Sequence, residues 1–283
     1  VVIGETGWPS EGRQRETAVP SRVNEARFIR GFVSMAEANG WHYNLIEAFD
    51  QPWKRANEGA VGGYWGLYDA DRQDKGVLEG PVSNLHYWPQ WLLGSAALML
   101  VMLVLAGRPA TLRAALLLPL LAALGAGCLG LWGELVRTHA RFAGEWVWAL
   151  ALVALNLLVL AHAVLAQAQR AGWRERLFAG LQARAGWLLL AASFAAAVSM
   201  LALVFDPRYR SFPTAALALP ALVYALWPVR APRAEVALLA FIVGAGVAPQ
   251  LFVEGLQNRQ AWGWAGVSVV MTVALWRSLR LRA

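Results

Sequence analysis

The first residue able to do chemistry is Glu5, which follows the apolar run Val1-Val2-Ile3-Gly4 and precedes Thr6-Gly7-Trp8-Pro9-Ser10. A strand of a parallel β/α barrel delivers its last side chain to the C-terminal mouth, where such barrels keep their sites. A carboxylate there, beside a glycine for a tight turn and the flat face of Trp8, suits glycoside chemistry, in which carboxyl groups attack or protonate and aromatic rings stack on sugars. A second group lies about 45 residues further on: Phe49-Asp50-Gln51-Pro52-Trp53-Lys54, then Glu58, then Tyr64-Trp65-Gly66-Leu67-Tyr68-Asp69. Trp53 and Tyr64 are candidate sugar platforms, and Trp65 suits packing equally well. Lys54 would favour the ionised form of a nearby carboxylate through its charge. His42, His86, His139 and His162 are scattered without metal-ligand spacing, so neither a metal nor a cofactor is called for.

These residues need elements to hold them. Residues 1–3 read as a buried strand, followed by a loop punctuated by glycine and proline up to Pro20. Ser21 is placed to cap a helix running to about Asn39, with Gly40 as its stop. Ala26, Ile29, Val33 and Ala36 share one face of it, with Phe28 and Phe32 alongside, while Glu25, Arg27, Arg30 and Glu37 are expected to look outward. Residues 41–50 read as a second strand. Strand, helix, strand is a βαβ unit, and hence a parallel pair. Residues 51–80 form a long polar and aromatic loop, closed by Gly80-Pro81.

The texture changes at Trp88. Seven apolar stretches follow, at about 90–106, 112–132, 146–166, 187–205, 212–228, 235–252 and 262–276. Most approach the ~20 residues needed to cross a bilayer. Tryptophans gather at their ends, among them Trp91, Trp132, Trp146, Trp187 and Trp276, as an interfacial belt would place them. The expected organisation is therefore residues 1–80 as an α/β domain, 81–89 as a linker and 90–283 as an all-α membrane domain of about seven helices. Within the third stretch, Asn156 and His162 are polar groups best used for hydrogen bonds between helices.

Charge divides the same way. Residues 1–85 hold 12 acidic and 9 basic side chains, a balance of −3, whereas residues 86–283 hold 6 and 16, a balance of +10. The excess of base is thus a property of loops that flank apolar helices and argues for no nucleic-acid partner. Loops after the first, third and fifth helices, with the tail, hold eleven arginines, and the alternate loops hold five, counting Arg208 among the five and Arg282 among the eleven. By the positive-inside rule the tail is expected to be cytoplasmic and residues 1–85 to face outward. The single Cys128 allows no disulfide within the chain. With no initiator methionine, the sequence is expected to be the C-terminal piece of a longer chain.

Glu5-Thr6-Gly7-Trp8-Pro9-Ser10 after an apolar strand, followed in order by the Phe49–Lys54 block, Glu58 and Tyr64-Trp65-Gly66-Leu67-Tyr68, resembles glycoside hydrolase family 17, the β-1,3-glucanases and β-glucan transferases. The resemblance covers residues 1–80 and implies the C-terminal portion of a (β/α)8 TIM barrel. It implies a retaining reaction with Glu5 as nucleophile, and Trp8, Glu47, Trp53, Lys54, Glu58 and Tyr64 as substrate-binding residues. It places the general acid on an earlier strand, so no residue here takes that role and these residues alone are expected to be inactive. Gln51 departs from the family, many of whose members carry an acid there. Joined to membrane helices, such a domain resembles bacterial membrane-bound β-glucan synthases. That implies an inner-membrane, multi-pass protein with residues 1–85 periplasmic. Its expected partners are β-glucan, the lipid bilayer and, as a candidate, a glucan synthase, and its expected activity is a β-1,3/β-1,6-glucan transglycosylase or hydrolase. A degradative anchored glucanase, or a transporter or scaffold with a non-catalytic glucan-binding domain, stands as the alternative.

Overall fold

The computed structural model describes residues 1–207 and 210–281, so Arg208 and Arg282 lie outside the described residues. It divides into two compact units, the first made of residues 1–87 and 135–145, the second of residues 88–134 and those from 146 onward.

In the first unit, β1 (Val2–Thr6) leads through a loop to α1 (Arg22–Ala38), and α1 leads to β2 (His42–Leu45). Ser21 caps α1: its side chain accepts the Asn24 amide at 3.1 Å, satisfying one of the helix's orphan donors. Gly40 ends it with a φ of 65°, a conformation that costs glycine little. The two strands pair in parallel, with Val2 opposite His42, Ile3 opposite Tyr43 and Thr6 opposite Leu45, as the βαβ pattern predicts. Helix α1 packs through Ala26, Ile29 and Ala36, all buried, and through Phe32, whose ring meets Tyr43 of β2 edge-on at 5.4 Å.

Two expectations fail here. The opening run is not buried: Val1 and Val2 are 75% and 76% exposed, because none of the described elements packs over them. Glu25 does not look outward. It is fully buried, since it lies four residues before Ile29 and eleven before Ala36, on the same stripe of the helix.

Beyond β2 the chain continues in extended form and gains a second parallel neighbour. Glu47 and Asp50 donate their amides to Trp65 and Tyr68 carbonyls at 2.8 and 2.9 Å, and Leu67 and Tyr68 donate back to Glu47 and Ala48. Between these segments lie a 3-10 turn (Pro52–Lys54), the single turn α2 (Arg55–Glu58) and a second 3-10 turn (Ala60–Gly63). Two glycines permit the approach. A Cβ on Gly7 would sit 2.3 Å from the Ile46 carbonyl oxygen, and one on Gly66 would sit 2.1 Å from the Asp50 nitrogen. These are backbone atoms in paired segments, so neither site has room to relax.

The second unit is helical: α3 (Trp88–Ala106), most of α4 (Leu112–His139) and of α5 (Ala143–Ala166), α6 (Trp173–Phe205), α7 (Thr214–Leu226), α8 (Arg233–Ala245), α9 (Val247–Glu254) and α10 (Arg259–Arg280). Each of the seven apolar stretches is helical. Among the described residues, α3, α4, α5, α6 and the α8–α9 run (Arg233–Glu254) are long and apolar enough to cross a membrane, and α7 is a shorter apolar helix. Large apolar side chains stand exposed along them, for example Leu116, Phe241 and Phe252, which is 89% exposed. That is the reverse of a water-facing surface and consistent with a membrane protein. The buried polar groups of α5 bind neighbouring helices: Asn156 donates to the Ala216 carbonyl of α7 at 2.6 Å, and the His162 ring lies 2.8 Å from Gln182 of α6.

The crowding at Gly66 gives a direct test of the strand pairing. Gly66→Ala should destabilise the first unit by about 1–3 kcal/mol or more, the usual cost of forcing a methyl group into a filled site. Pulse proteolysis in urea measures it, and a variant as resistant as the parent would show that the 47–50 and 65–68 segments do not pair this closely.

Candidate active site

Strand ends deliver the carboxylates. Glu5 is the penultimate residue of β1 and is solvent-exposed, and Glu47 follows the end of β2. Pairing with Trp65 and Leu67 fixes the Glu47 backbone on both sides. Glu47 Oε2 accepts two short hydrogen bonds, from Lys54 Nζ at 2.7 Å and from Gln51 Nε2 at 2.6 Å. Its other oxygen, Oε1, is buried without a partner. Lys54 is the electrostatic centre of the group. Its pKa is raised above the ordinary lysine value, first by the hydrogen bond to Glu47 and then by the charges of Glu47, Glu58 and Glu5, against an opposing desolvation. Of the three, Glu47 is the one bonded to the ammonium, while Glu58 on α2 and Glu5 on β1 act on it through their charge alone.

The remaining candidates divide by exposure. Trp53 is 67% exposed, with the Lys54 ammonium 6.0 Å from its ring centre, and presents a free apolar face. Glu58 is exposed on α2. Trp8 is tied into the scaffold: its indole N–H donates to the Val19 carbonyl at 3.1 Å and its ring lies 5.6 Å from Phe28. Tyr64 is buried, with its hydroxyl on the Thr138 carbonyl and the Arg55 guanidinium beside it. Burial raises the Tyr64 pKa to about 12, partly opposed by Arg55. Its ring is occupied by packing, so the expectation of a sugar platform does not fit it. Trp65 lines the Gly7 contact, 3.3 Å from where a Cβ there would sit.

Sequence reasoning missed the cluster behind these residues. The buried Lys75 ammonium donates to Asp50 Oδ1 and Ser10 Oγ, both at 2.8 Å, and lies 3.5 Å from Glu25 Oε1. Ser10 in turn donates its hydroxyl to the Tyr64 carbonyl, and Asp50 accepts the Gly66 amide at 2.9 Å. Loop, helix and strand ends are thereby joined at one cation. A buried lysine can neutralise one carboxylate, and it faces two. Burial pushes the Glu25 carboxyl up to about 8, with Lys75 pulling it down and Asp50 pushing it further up. Asp50 is raised as well, by burial against the pull of Lys75. With its carboxyl at about 8, Glu25 is mostly protonated at neutral pH. Two signals were available: Glu25 shares a stripe with Ile29 and Ala36, and Lys75 is one of only two lysines in the chain.

Comparisons with known proteins find similarity in the first unit. Residues 1–66 match the family model of the BtgE/BtgC glycoside hydrolase domain. Similar proteins include a glucan 1,3-beta-glucosidase of Arthroderma benhamiae, 38% identical over 81 residues, which is 26% of each chain. The probable family 17 glucosidase SCW10 of Saccharomyces cerevisiae is 38% identical over 71 residues, 25% of this chain and 18% of its own. A glucan 1,3-beta-glucosidase of the same yeast is 35% identical over 79 residues, 27% of this chain and 25% of its own. These matches lie with a glycoside hydrolase domain and with glucosidases. The chain spans about a quarter or less of each of these relatives. No solved structure matches.

The buried cluster makes stability depend on pH. The folded pKa of Glu25, about 8, lies above its unfolded value of 4.5, so between those values the folded state holds the extra proton and stability falls as pH rises. The slope is at most about 1.4 kcal/mol per pH unit. Glu25→Gln, which mimics the protonated form, should gain on the parent from pH 5 to 8 and hold that gain above pH 8. Urea midpoints of the first unit at pH 5, 7 and 9 check this, and a constant difference across them would remove Glu25 as the titrating group.

Proposed function

We propose that this chain carries the nucleophile half of a retaining, membrane-borne β-glucan hydrolase or transglycosylase, with Glu5 as the nucleophile. The observation that carries the reading is the Lys54–Glu47 pair at 2.7 Å, set beside the exposed ring of Trp53, with the charges of Glu58 and Glu5 raising the Lys54 pKa further. In this reading Glu5 attacks the anomeric carbon, the aglycone departs with a proton from a general acid, and water or a sugar hydroxyl then releases the glycosyl group. None of the described residues is assigned as that acid. Glu47 does not replace it. Its Oε2 is already committed to Lys54 and Gln51, which suits a residue that fixes Lys54 and binds a sugar hydroxyl. Trp53 stacks on a pyranose ring, and Glu58 extends the polar floor. Trp8 serves by holding the loop after Glu5 in place.

The same reading makes residues 1–80 the C-terminal portion of a TIM barrel, 81–89 the linker and 90–283 a bundle of about seven membrane helices. The parallel pairing of β1 with β2, and of residues 47–50 with 65–68, supports the first part. Five helices of spanning length and the arginine asymmetry support the last. Polymeric β-glucan is an envelope substrate, which agrees with residues 1–85 lying outside a bacterial inner membrane. A glycosidase domain built onto several membrane helices, rather than one anchor, fits transfer of glucan coupled to its synthesis or export.

Two measurements test this. In the natural full-length protein Glu5→Gln should lower glucan transfer and hydrolysis by about 10³-fold or more, the scale of losing a covalent nucleophile, with membrane insertion unchanged. A variant keeping a tenth of the parent rate would end the assignment. For topology, single cysteines at Ser83 and Ala171 in a Cys128→Ala background should differ: an impermeant thiol reagent with access to the periplasm should label position 83 and spare 171 in intact cells. Labelling of 171 would reverse the orientation.

A further inference from the structure

Helix α4 ends at His139, and the last carbonyls of a helix have no partner within it. In α4 the carbonyls from Leu135 to Thr138 meet identifiable donors. The Leu135 carbonyl accepts the Thr138 hydroxyl at 3.1 Å, with the His139 ring nitrogen 2.9 Å away, and the Val136 carbonyl accepts the Ala140 amide at 2.9 Å. The Arg137 and Thr138 carbonyls are capped from elsewhere in the first unit: Arg55 Nη1 donates to them at 2.9 and 3.0 Å, and the Tyr64 hydroxyl donates to Thr138 at 3.1 Å. A guanidinium at a helix C-terminus is favoured twice, by hydrogen bonding and by the negative end of the helix dipole. The pair Arg137–Glu11, at 3.7 Å, adds a contact to the loop that follows Ser10.

The other end of the same guanidinium faces the candidate site. Arg55 Nε donates to the Pro52 carbonyl at 2.8 Å, closing the turn that presents Trp53 and Lys54. The segment cannot hold itself: α2 is a single turn, too short to be stable alone, and Gly59 terminates it with a φ of 82°. Its packing partner is equally short, the 3-10 turn at Ala60–Gly63, where a Cβ on Gly63 would meet Arg55 Cγ at 2.8 Å. Its position has to be imposed from outside.

We infer that the C-terminus of α4 anchors residues 52–58, and that Arg55 is the positioning residue joining that helix end to the segment carrying Trp53, Lys54 and Glu58. The last turn of α4, itself part of the first unit, then sets where the sugar-facing segment lies. The functional half of this inference rests on the proposed glucan reading, whereas the structural half does not.

The test uses the whole 283-residue chain in lipid nanodiscs. By hydrogen exchange, Arg55→Ala should speed the amides of residues 52–58 and 136–141 together by tenfold or more, leaving α1 unchanged. Thr138→Gly, which loosens the end of α4 without touching a side chain of residues 52–64, should loosen 52–58 as well. Laminari-oligosaccharide binding should weaken about tenfold in Arg55→Ala and recover in part in Arg55→Lys, which restores the charge without the fork. If Thr138→Gly leaves residues 52–58 at the parent rate, or Arg55→Ala leaves 136–141 unchanged, the anchor is refuted. If Arg55→Ala also loosens α1, the residue is a general structural support and the positioning role is refuted. If the exchange results hold but the parent chain binds no oligosaccharide, the glucan reading of residues 52–58 fails and the anchor stands.

Discussion

The first unit depends on one buried cation. Taking the Lys75 ammonium out of water costs several kcal/mol unless it is paired and fully hydrogen-bonded, and it meets that demand by drawing together Ser10, Asp50 and Glu25. Those three belong to the loop after β1, the extended segment after β2 and α1. The same two strands lead to Glu5 and Glu47, so the order of the cluster is inherited by the candidate site. Because the cluster holds two carboxylates for one ammonium, it is balanced only with Glu25 largely protonated, which makes this framework more secure in mild acid than in base.

A second constraint acts through the end of a helix. Orphan carbonyls at the terminus of α4 are strong acceptors, and the sequence supplies Arg55 and Tyr64 to meet them. Both residues lie within the stretch that bears Trp53 and Lys54, proposed above to face the sugar. Satisfying a backbone group and placing a binding segment are here the same event. Tyr64, whose ring type invites a sugar-stacking reading, is used for this instead.

What could be read from the sequence was local. Ser21 and Gly40 bracket α1 because capping needs only the cap residue and its near neighbours. The seven apolar stretches announce their helices because composition over about 20 residues suffices. The order of motifs around Glu5, Trp53, Lys54 and Glu58 singled out candidate residues, and in the fold the charges of Glu5 and Glu58 raise the Lys54 pKa. The Lys75 cluster was not legible, because its members are separated by as many as 65 residues and each looks like an ordinary surface charge. Glu25 was misread for that reason. The exposure of Val1 and Val2 was missed for a different one: hydropathy says that a segment can be covered, and not whether anything covers it. The capping of α4 by Arg55 was equally hidden, since it joins positions 82 and 83 residues apart.

The central claim is that Glu5 forms a covalent bond to the sugar. An activated 2-deoxy-2-fluoro-glucoside or -laminaribioside, which slows release of a glycosyl-enzyme more than its formation, tests this in the natural full-length protein by peptide mass spectrometry. A single fluoroglycosyl adduct is expected on the peptide containing Glu5, released when an acceptor oligosaccharide is added. An adduct on Glu47 or Glu58, or continued turnover of the reagent with no adduct on any carboxylate, would contradict it.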